Sequence, residues 1–360
     1  MGETAFTYEA LPMRVVFGAG SLARVPDEVA RLGLRRVLVL STPRGRELAD
    51  RLAESLGHAS AGVFDRAREH VPVETAEAAR AAAKDAGADG CLAVGGGSTI
   101  GLGKAIALET GLPVIAVPTT YAGSEMTPVW GLTEAGRKRT GRDPAVLPRT
   151  VVYDPELTVG LPLEVSATSG FNAVAHAIEA LYAPDASPIV SLMAEEGVRS
   201  LLSALPALAI HADDPYARVE ALRGAWLCGA CLGATTMSLH HKLCHVLGGT
   251  FGLPHAATHT VVLPYTAAFN LPAAPAAERI LRRATDTFDV PGHLARLSTA
   301  LGAPPSLTAL GLTATDLPRV IEQVLAAPYA NPRPVTRDAL ESLLTEALHG
   351  MPAVGERGFR

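Results

Sequence analysis

Five short apolar or β-branched runs, RVVFG (14–18), VLVLS (37–41), GCLAVGG (90–96), PVIAVP (113–118) and TVVYD (150–154), punctuate the first half of the chain. Between them, 21–32, 44–56, 74–86 and 98–109 show helical periodicity rich in Ala, Leu and Arg. Alternating strand and helix leaves few architectures open. Parallel strands need crossover helices, and those helices then cover both faces of the sheet. From about Leu161 the rhythm is lost, and helices follow one another at roughly 164–183, 188–211, 215–236, 239–248 and 258–269, with several more to the end. Pro155 and Pro162 bracket a boundary near 155–161. The expected architecture is an α/β domain over residues 1–157 and an all-helical domain over 158–360, with a cleft between them.

Composition narrows the function. A chain of 360 residues supports two cores, and 48% hydrophobic against 19% charged residues excludes a disordered protein. A net charge of −5 without a long basic run carries no nucleic-acid or membrane-surface footprint. The longest apolar stretches, such as LLSALPALAI, fall short of a bilayer span, and no charged-then-apolar leader opens the sequence. A cytoplasmic enzyme is expected. Four cysteines do not make a disulfide framework at this length, and the Cys228/Cys231 pair, in an Ala/Gly-rich helical run, reads as close helix packing. Only four of the 31 basic residues are lysines: Lys84, Lys104, Lys138 and Lys242. A lysine retained against that background suggests a place that needs a compact, single-point cation.

The polar residues gather in a few places. His240, His241, His245, His255 and His259 crowd into HHKLCHVLGGTFGLPHAATH. His241 and His245 stand four apart and project from one helix face; Gly248 and Gly249 are expected to break that helix, letting His255 return toward the same space. Asn172 and His176 stand four apart on another helix. A three-histidine metal site normally completes its shell with a carboxylate or a water, and the fourth candidate here is an amide. His240 and His259 read as satisfied polar residues of their helices.

GCLAVGGGSTIGLGK reads strand, glycine turn, helix. Gly95, Gly96 and Gly97 let a phosphate approach the backbone, and Ser98 and Thr99 open a helix whose N–H groups point at it. VPTTYAGSEMTP leaves another strand end with Thr119, Thr120 and Ser124 as hydroxyl donors, at the edge where parallel sheets bind ligands. Together they suggest a dinucleotide over the sheet.

GGGSTIGLGK, PTTYAGSE, the NAVAH helix and HKLCHVLGG…PHA resemble the iron-containing alcohol dehydrogenase family, related in fold to dehydroquinate synthase. Several segments look closest to its maleylacetate reductase branch: TYAGSEMTPVWGLTE, GRDPAVLPRTVVYDP, FNAVAHAIEALY and LHHKLCHVLGGTFGLPHAATHTVVLP. The resemblance implies a Rossmann-like NAD(P)-binding domain, a helical domain, an active site in the cleft and a homodimer. The family's metal ligands, one Asp and three His, fall on Asn172, His176, His241 and His255, with His245 beside the reaction centre. Asn172 departs from the metal-dependent pattern and matches the branch that works without metal. The family's NAD contacts fall on Gly96, Gly97, Ser98, Thr119, Thr120, Ser124 and Lys138. Where NAD-selective members carry an acid after the second strand, this chain has Ser41 and Thr42, with Arg44 and Arg46 close in sequence. No carboxylate there repels a 2′-phosphate, so NADPH is expected to serve alongside NADH, with Thr42 at the cofactor.

The implied substrate, maleylacetate, is a dicarboxylate with a carbon–carbon double bond conjugated to a ketone. Its reduction to 3-oxoadipate is a conjugate hydride addition that develops an enolate and ends in protonation. An aspartate at 172 about 4 Å from such an anion repels it by roughly 4 kcal/mol at an effective dielectric near 20, whereas asparagine offers an N–H donor. His176, His241, His245 and His255 are then expected to act as donors or general acids rather than as ligands. Lys242 adds a positive charge if its side chain reaches the cleft, and can equally point away. Tyr329, Asn331 and Arg333, in PYANPRPVT, form either a loop that closes over the substrate or a surface loop. Two other reaction types stay open: a metal-dependent alcohol or polyol dehydrogenase, for which three histidines and a water suffice to hold zinc, and a dehydroquinate synthase-like lyase.

Overall fold

The five apolar runs form five strands of one six-stranded sheet, all of whose pairs are parallel. Its strands are β1 (Arg14–Phe17), β2 (Val37–Leu40), β3 (Ser60–Phe64), β4 (Gly90–Gly95), β5 (Val114–Pro118) and, beyond a hairpin of β6 (Val129–Glu134) and β7 (Arg137–Arg142), β8 (Thr150–Tyr153). The spatial order is β1-β8-β5-β4-β2-β3. Val37, Val39, Leu92, Val94, Ile115, Val117 and Val152 face α1 (Val25–Arg31) and α2 (Arg46–Leu56). Their neighbours Leu38, Leu40, Cys91, Ala93, Val114, Ala116 and Val151 face α3 (Val73–Asp85) and α4 (Gly97–Thr110) on the other side. Both faces are covered, as the crossover rule requires. This computed structural model describes residues 6–8, 10–11, 13–134 and 137–350, without the side chains of Arg137 and Lys138.

Two features depart from the expected pattern. The edge strand β3 is built from SAGVF, whose Ser, Ala and Gly carry little strand propensity, and its register on β2 shifts between Val37 and Val39. The β6–β7 hairpin uses the charged sequence RKRTGR, and the absence of a side chain at Gly141 lets the ring of its cross-strand partner Trp130 lie over it. A Cβ at Gly141 would stand 2.6 Å from that ring.

The second half is helical: α5 (Leu163–Leu181), α6 (Pro188–Ile210), α7 (Pro215–Ala234), α8 (Leu239–Phe251), α9 (His255–Asn270), α10 (Pro275–Thr285), α11 (Val290–Ala300), α12 (Leu317–Leu325) and α13 (Arg337–His349). Every residue of α5 from Ser166 to Leu181 is buried, so this helix is the axis of the domain and any polar group on it must find a partner inside. Helices α6 and α7 touch through Gly197, Gly224 and Cys228; the four cysteines are free and buried, and burial pushes the Cys231 thiol up to about 12. Contrary to expectation, Gly248 and Gly249 do not end α8. It continues to Phe251 and closes at Gly252 in the left-handed region, φ 69°. Burial of Leu243, Val246 and Leu247 against α12 and α13 outweighs the roughly 1 kcal/mol that each interior glycine costs. Among the described residues, no helix is long and apolar enough to cross a membrane.

Candidate active site at the meeting of α5, α8 and α9

Three helices converge on one polar cluster. From α5 come Asn172, His176 and Glu179, spaced i, i+4, i+7 on one face; α8 brings His240, His241 and His245, and α9 brings His255 and His259. The rings of His176 and His241 lie 5.1 Å apart, His241 and His259 4.9 Å, and His255 and His259 4.4 Å. His245 stands 6.1 Å from His241 and 6.3 Å from His255. The sequence-expected histidines are therefore brought together.

The cluster is organised by a residue that sequence reading passed over. Glu179, fully buried, accepts hydrogen bonds from the backbone N–H groups of Ser238 (3.0 Å), His240 (2.8 Å) and His241 (3.3 Å), the open donors at the start of α8. The same carboxylate bonds His241 Nδ1 at 2.6 Å. A carboxylate can only accept, so Nδ1 carries its proton, and Nε2, buried without a partner, is the atom His241 turns to the site.

His240 and His259 lie in the cluster as well, and His240 is satisfied at both ring nitrogens, as a polar residue of its helix was expected to be. His240 Nδ1 lies 3.0 Å from Thr266 Oγ1, His240 Nε2 lies 3.0 Å from His259 Nδ1, and His259 Nε2 is buried without a partner. Burial, reinforced by the neighbouring imidazoles, holds His176, His240 and His259 well below the ordinary histidine range, so these rings are neutral. Among the described residues, the three side chains whose ligating atoms lie within 4.8 Å of one another are His240, Cys244 and His259, a different set from the one the resemblance implied.

Asn172 Nδ2 donates to the Ala122 carbonyl at 3.3 Å, and its Oδ1 is left buried and unpartnered. One amide N–H is thus spent on the segment after β5 rather than held out to a ligand. Burial, with the charge of Glu179 adding to it, pushes the Tyr329 hydroxyl up to about 12; that hydroxyl is unpartnered. Its loop is anchored: Asn331 accepts from the Leu239 N–H (3.4 Å) and exchanges hydrogen bonds with Asn270 at 2.9 and 2.8 Å. The PYANPRP loop is therefore a wall of the site at the start of α8. Lys242 follows His241 and is half-buried.

On the sheet side, the glycine turn stands as expected. Gly95 has φ 149°, and a Cβ there would lie 2.6 Å from Thr99 Oγ1; at Gly96 it would lie 3.0 Å from the side chain of Thr120. The two cofactor motifs are in contact, with Gly97 and Ser98 opening α4 beside them and the Thr119 N–H donating to Gly95 O. Thr99 is buried behind the turn, while Ser124 is held by Lys104. At the end of β2, Thr42 Oγ1 accepts from the Gly45 N–H. Arg46 is bound to Asp50 (2.7 Å) and Asp65 (3.1 Å), which leaves exposed Arg44 as the basic group available there. Lys138 lies on β7, with its side chain outside the described residues.

Comparison with known proteins follows this geometry. The model of the iron-containing alcohol dehydrogenase family matches residues 12–155, and that of the family's C-terminal region matches 166–348. The chain is 52% identical over 347 residues to a maleylacetate reductase of Burkholderia cepacia, covering 96% of this chain and 99% of that one. It is 51% identical over 345 residues to maleylacetate reductase 1 of Cupriavidus pinatubonensis, covering 96% and 98%. The crystal structure of maleylacetate reductase from Agrobacterium tumefaciens superposes with a TM-score of 0.93 at 52% identity, covering 97% of this chain and 99% of that one. With both family models matched across a glycine turn and a three-helix histidine cluster, this chain belongs to the iron-containing alcohol dehydrogenase family of oxidoreductases.

Proposed function

We propose that this chain is an NAD(P)H-dependent reductase that saturates the conjugated carbon–carbon bond of maleylacetate to give 3-oxoadipate, without a metal, in the breakdown of aromatic compounds. The observation that carries the reading is identity above half, over nearly the full length, to maleylacetate reductases. The donor set supports metal independence. At the four positions that hold iron in the family, this chain offers three imidazoles, His176, His241 and His255, and the amide of Asn172 in place of a carboxylate; Glu179 is committed to four N–H groups. Without the family's carboxylate, a divalent cation there would be buried with no anionic ligand, which weakens the site for iron relative to one Asp and three His.

The bound nicotinamide supplies the hydride. Within the cluster, His241 is in contact with the Glu179 carboxylate. Glu179 orients the ring through Nδ1 and compensates positive charge when Nε2 also holds a proton, so His241 is placed to donate to the developing enolate. His176, His245, His255 and Tyr329 line the same space, and Lys242 adds cationic charge toward a dicarboxylate. The turn at Gly95, Gly96 and Gly97 with Ser98, and the hydroxyls of Thr119, Thr120 and Ser124, would hold the dinucleotide, with Thr99 packing the turn and with Thr42 and Lys138 as further residues assigned to it. Arg44 suits a 2′-phosphate, so both NADH and NADPH serve. The catalytic unit is a cytoplasmic homodimer, each chain dividing near residues 157 and 158. Metal-free protein mixed with NADH and maleylacetate tests this reading: nicotinamide absorbance should fall one equivalent per substrate. An unchanged absorbance refutes it.

A further inference from the structure

Residues 119–124 join the two ends of the site. At one end Thr119 and Thr120 lie on the glycine turn. At the other, Gly123 (φ 80°) sits against Gly229 of α7 and beside His176, with its Cβ position 3.0 Å from Gly229 Cα and 3.4 Å from His176 Nδ1. Two buried basic side chains hold this segment; burial lowers the Lys104 amine to about 7, with the nearby Glu125 carboxyl opposing that shift. Arg218, 1% exposed, donates through Nη1 to Tyr121 Oη and Ser166 Oγ (both 3.0 Å), through Nη2 to the carbonyls of Val159 (3.3 Å) and Leu161 (3.1 Å), and through Nε to Ala212 O (2.9 Å). Lys104, also 1% exposed, donates to Ser124 O (2.6 Å), Thr127 Oγ1 (2.9 Å) and Val129 O (2.8 Å).

All of these hydrogen-bond acceptors are neutral, and the buried Glu125 carboxyl stands near Lys104 without accepting from it. A charge buried against neutral acceptors contributes less to stability than an ion pair or an apolar side chain of the same volume, so its value lies in the geometry it imposes. The guanidinium fork reaches five acceptors on three segments at once, while the lysine nitrogen gathers four at a single point, which accounts for a lysine kept at 104 in a chain that otherwise favours arginine. The Asn172 amide and the Ser169 hydroxyl add ties from α5 to Ala122 O and to the Tyr121 N–H. We propose that Arg218 and Lys104 are positioning residues for hydride transfer: they set the place of residues 119–124, and with it the separation between the cofactor turn and the pocket lined by His176 and Asn172.

This inference rests on the reductase reading, and its test separates the two. Tyr121→Phe removes one hydroxyl, and with it the single bond from Arg218 to the segment; Arg218→Lys removes the fork. Misplacement by a fraction of an ångström to 1 Å lowers transfer by up to about 100-fold. We expect kcat to fall three- to tenfold in Tyr121→Phe and 10- to 100-fold in Arg218→Lys. The primary isotope effect from 4-deuterated NADH should rise in both, which loss of folded protein alone does not produce. NADH affinity, read by fluorescence without substrate, should weaken at least threefold in both. An isotope effect and an NADH affinity that stay at the wild-type values in Tyr121→Phe and Arg218→Lys overturn the proposal, whatever happens to Tm. If the wild-type protein does not oxidise NADH with maleylacetate, the functional reading fails, and the binding measurement alone decides the positioning role.

Discussion

Replacing Glu179 by Gln tests the centre of the mechanism. The carboxylate touches His241 Nδ1 at 2.6 Å, and the two charge centres of a carboxylate and an imidazolium in that contact lie about 4 Å apart. At an effective dielectric near 20, their attraction is roughly 4 kcal/mol. Glutamine is neutral and has one oxygen to share among four N–H groups, so most of that attraction disappears from the state in which His241 gives up its proton. Each 1.36 kcal/mol is about tenfold in rate, so kcat should fall by about 10²- to 10³-fold. The start of α8 also loses bonds to a charged acceptor, each contributing about 1.5–3 kcal/mol, and Tm should drop as well. Stopped-flow single-turnover rates, normalised to the fraction of chains that bind NADH, separate the two effects. If folded Glu179→Gln reduces maleylacetate within threefold of the wild-type rate, Glu179 caps a helix and the proton-donor assignment of His241 fails.

Other expected outcomes follow from the same geometry. Asn172→Asp breaks the bond to Ala122 O and sets an anion, repelling by roughly 4 kcal/mol, before an anionic substrate, so kcat/KM should fall about 10²- to 10³-fold and zinc affinity should rise; unchanged kinetics removes Asn172 from the mechanism. His176, His240 and His259 stay neutral in the folded state, with folded pKa values well below 6.5. Below pH 6.5 the unfolded chain takes up protons that the folded one refuses. The stability present above that pH is therefore lost as pH falls, by about 1.4 kcal/mol per unit for each imidazole and about 4 kcal/mol for the three. A Tm that stays level from pH 7 to 5 contradicts their neutrality. With Arg46 already paired to Asp50 and Asp65, Arg44→Ala should lower kcat/KM for NADPH about tenfold, roughly 1.4 kcal/mol, and affect NADH less. Equal losses for both cofactors would place Arg44 away from the 2′-phosphate.

Much of this molecule is legible without coordinates, because its signals are local. The alternation of apolar runs with helical stretches names the parallel sheet; GGGST after a strand names the glycine turn; spacings of four put Asn172 beside His176 and His241 beside His245. Backbone geometry alone converts such spacings into shared faces. The weak points are places where local propensity yields to packing: SAGVF at a sheet edge, a charged strand opposite Trp130, and two glycines carried inside α8 by the buried face around them.

What the cluster does was decided in three dimensions. Glu179 looks like one more residue of an Ala-rich helix, and its partners lie 59 to 62 residues downstream. His259 and His240 acquire meaning only through each other and Thr266, and Arg218 reaches Tyr121 across 97 residues. Asn172, read from sequence as a donor for an anion, spends one of its two N–H groups on Ala122 O. Periodicity dictates which side chains leave a helix together. Which buried polar group satisfies which other depends on how the helices pack, because inside a core each donor and acceptor must find a partner wherever the fold brings one within 3 Å or so.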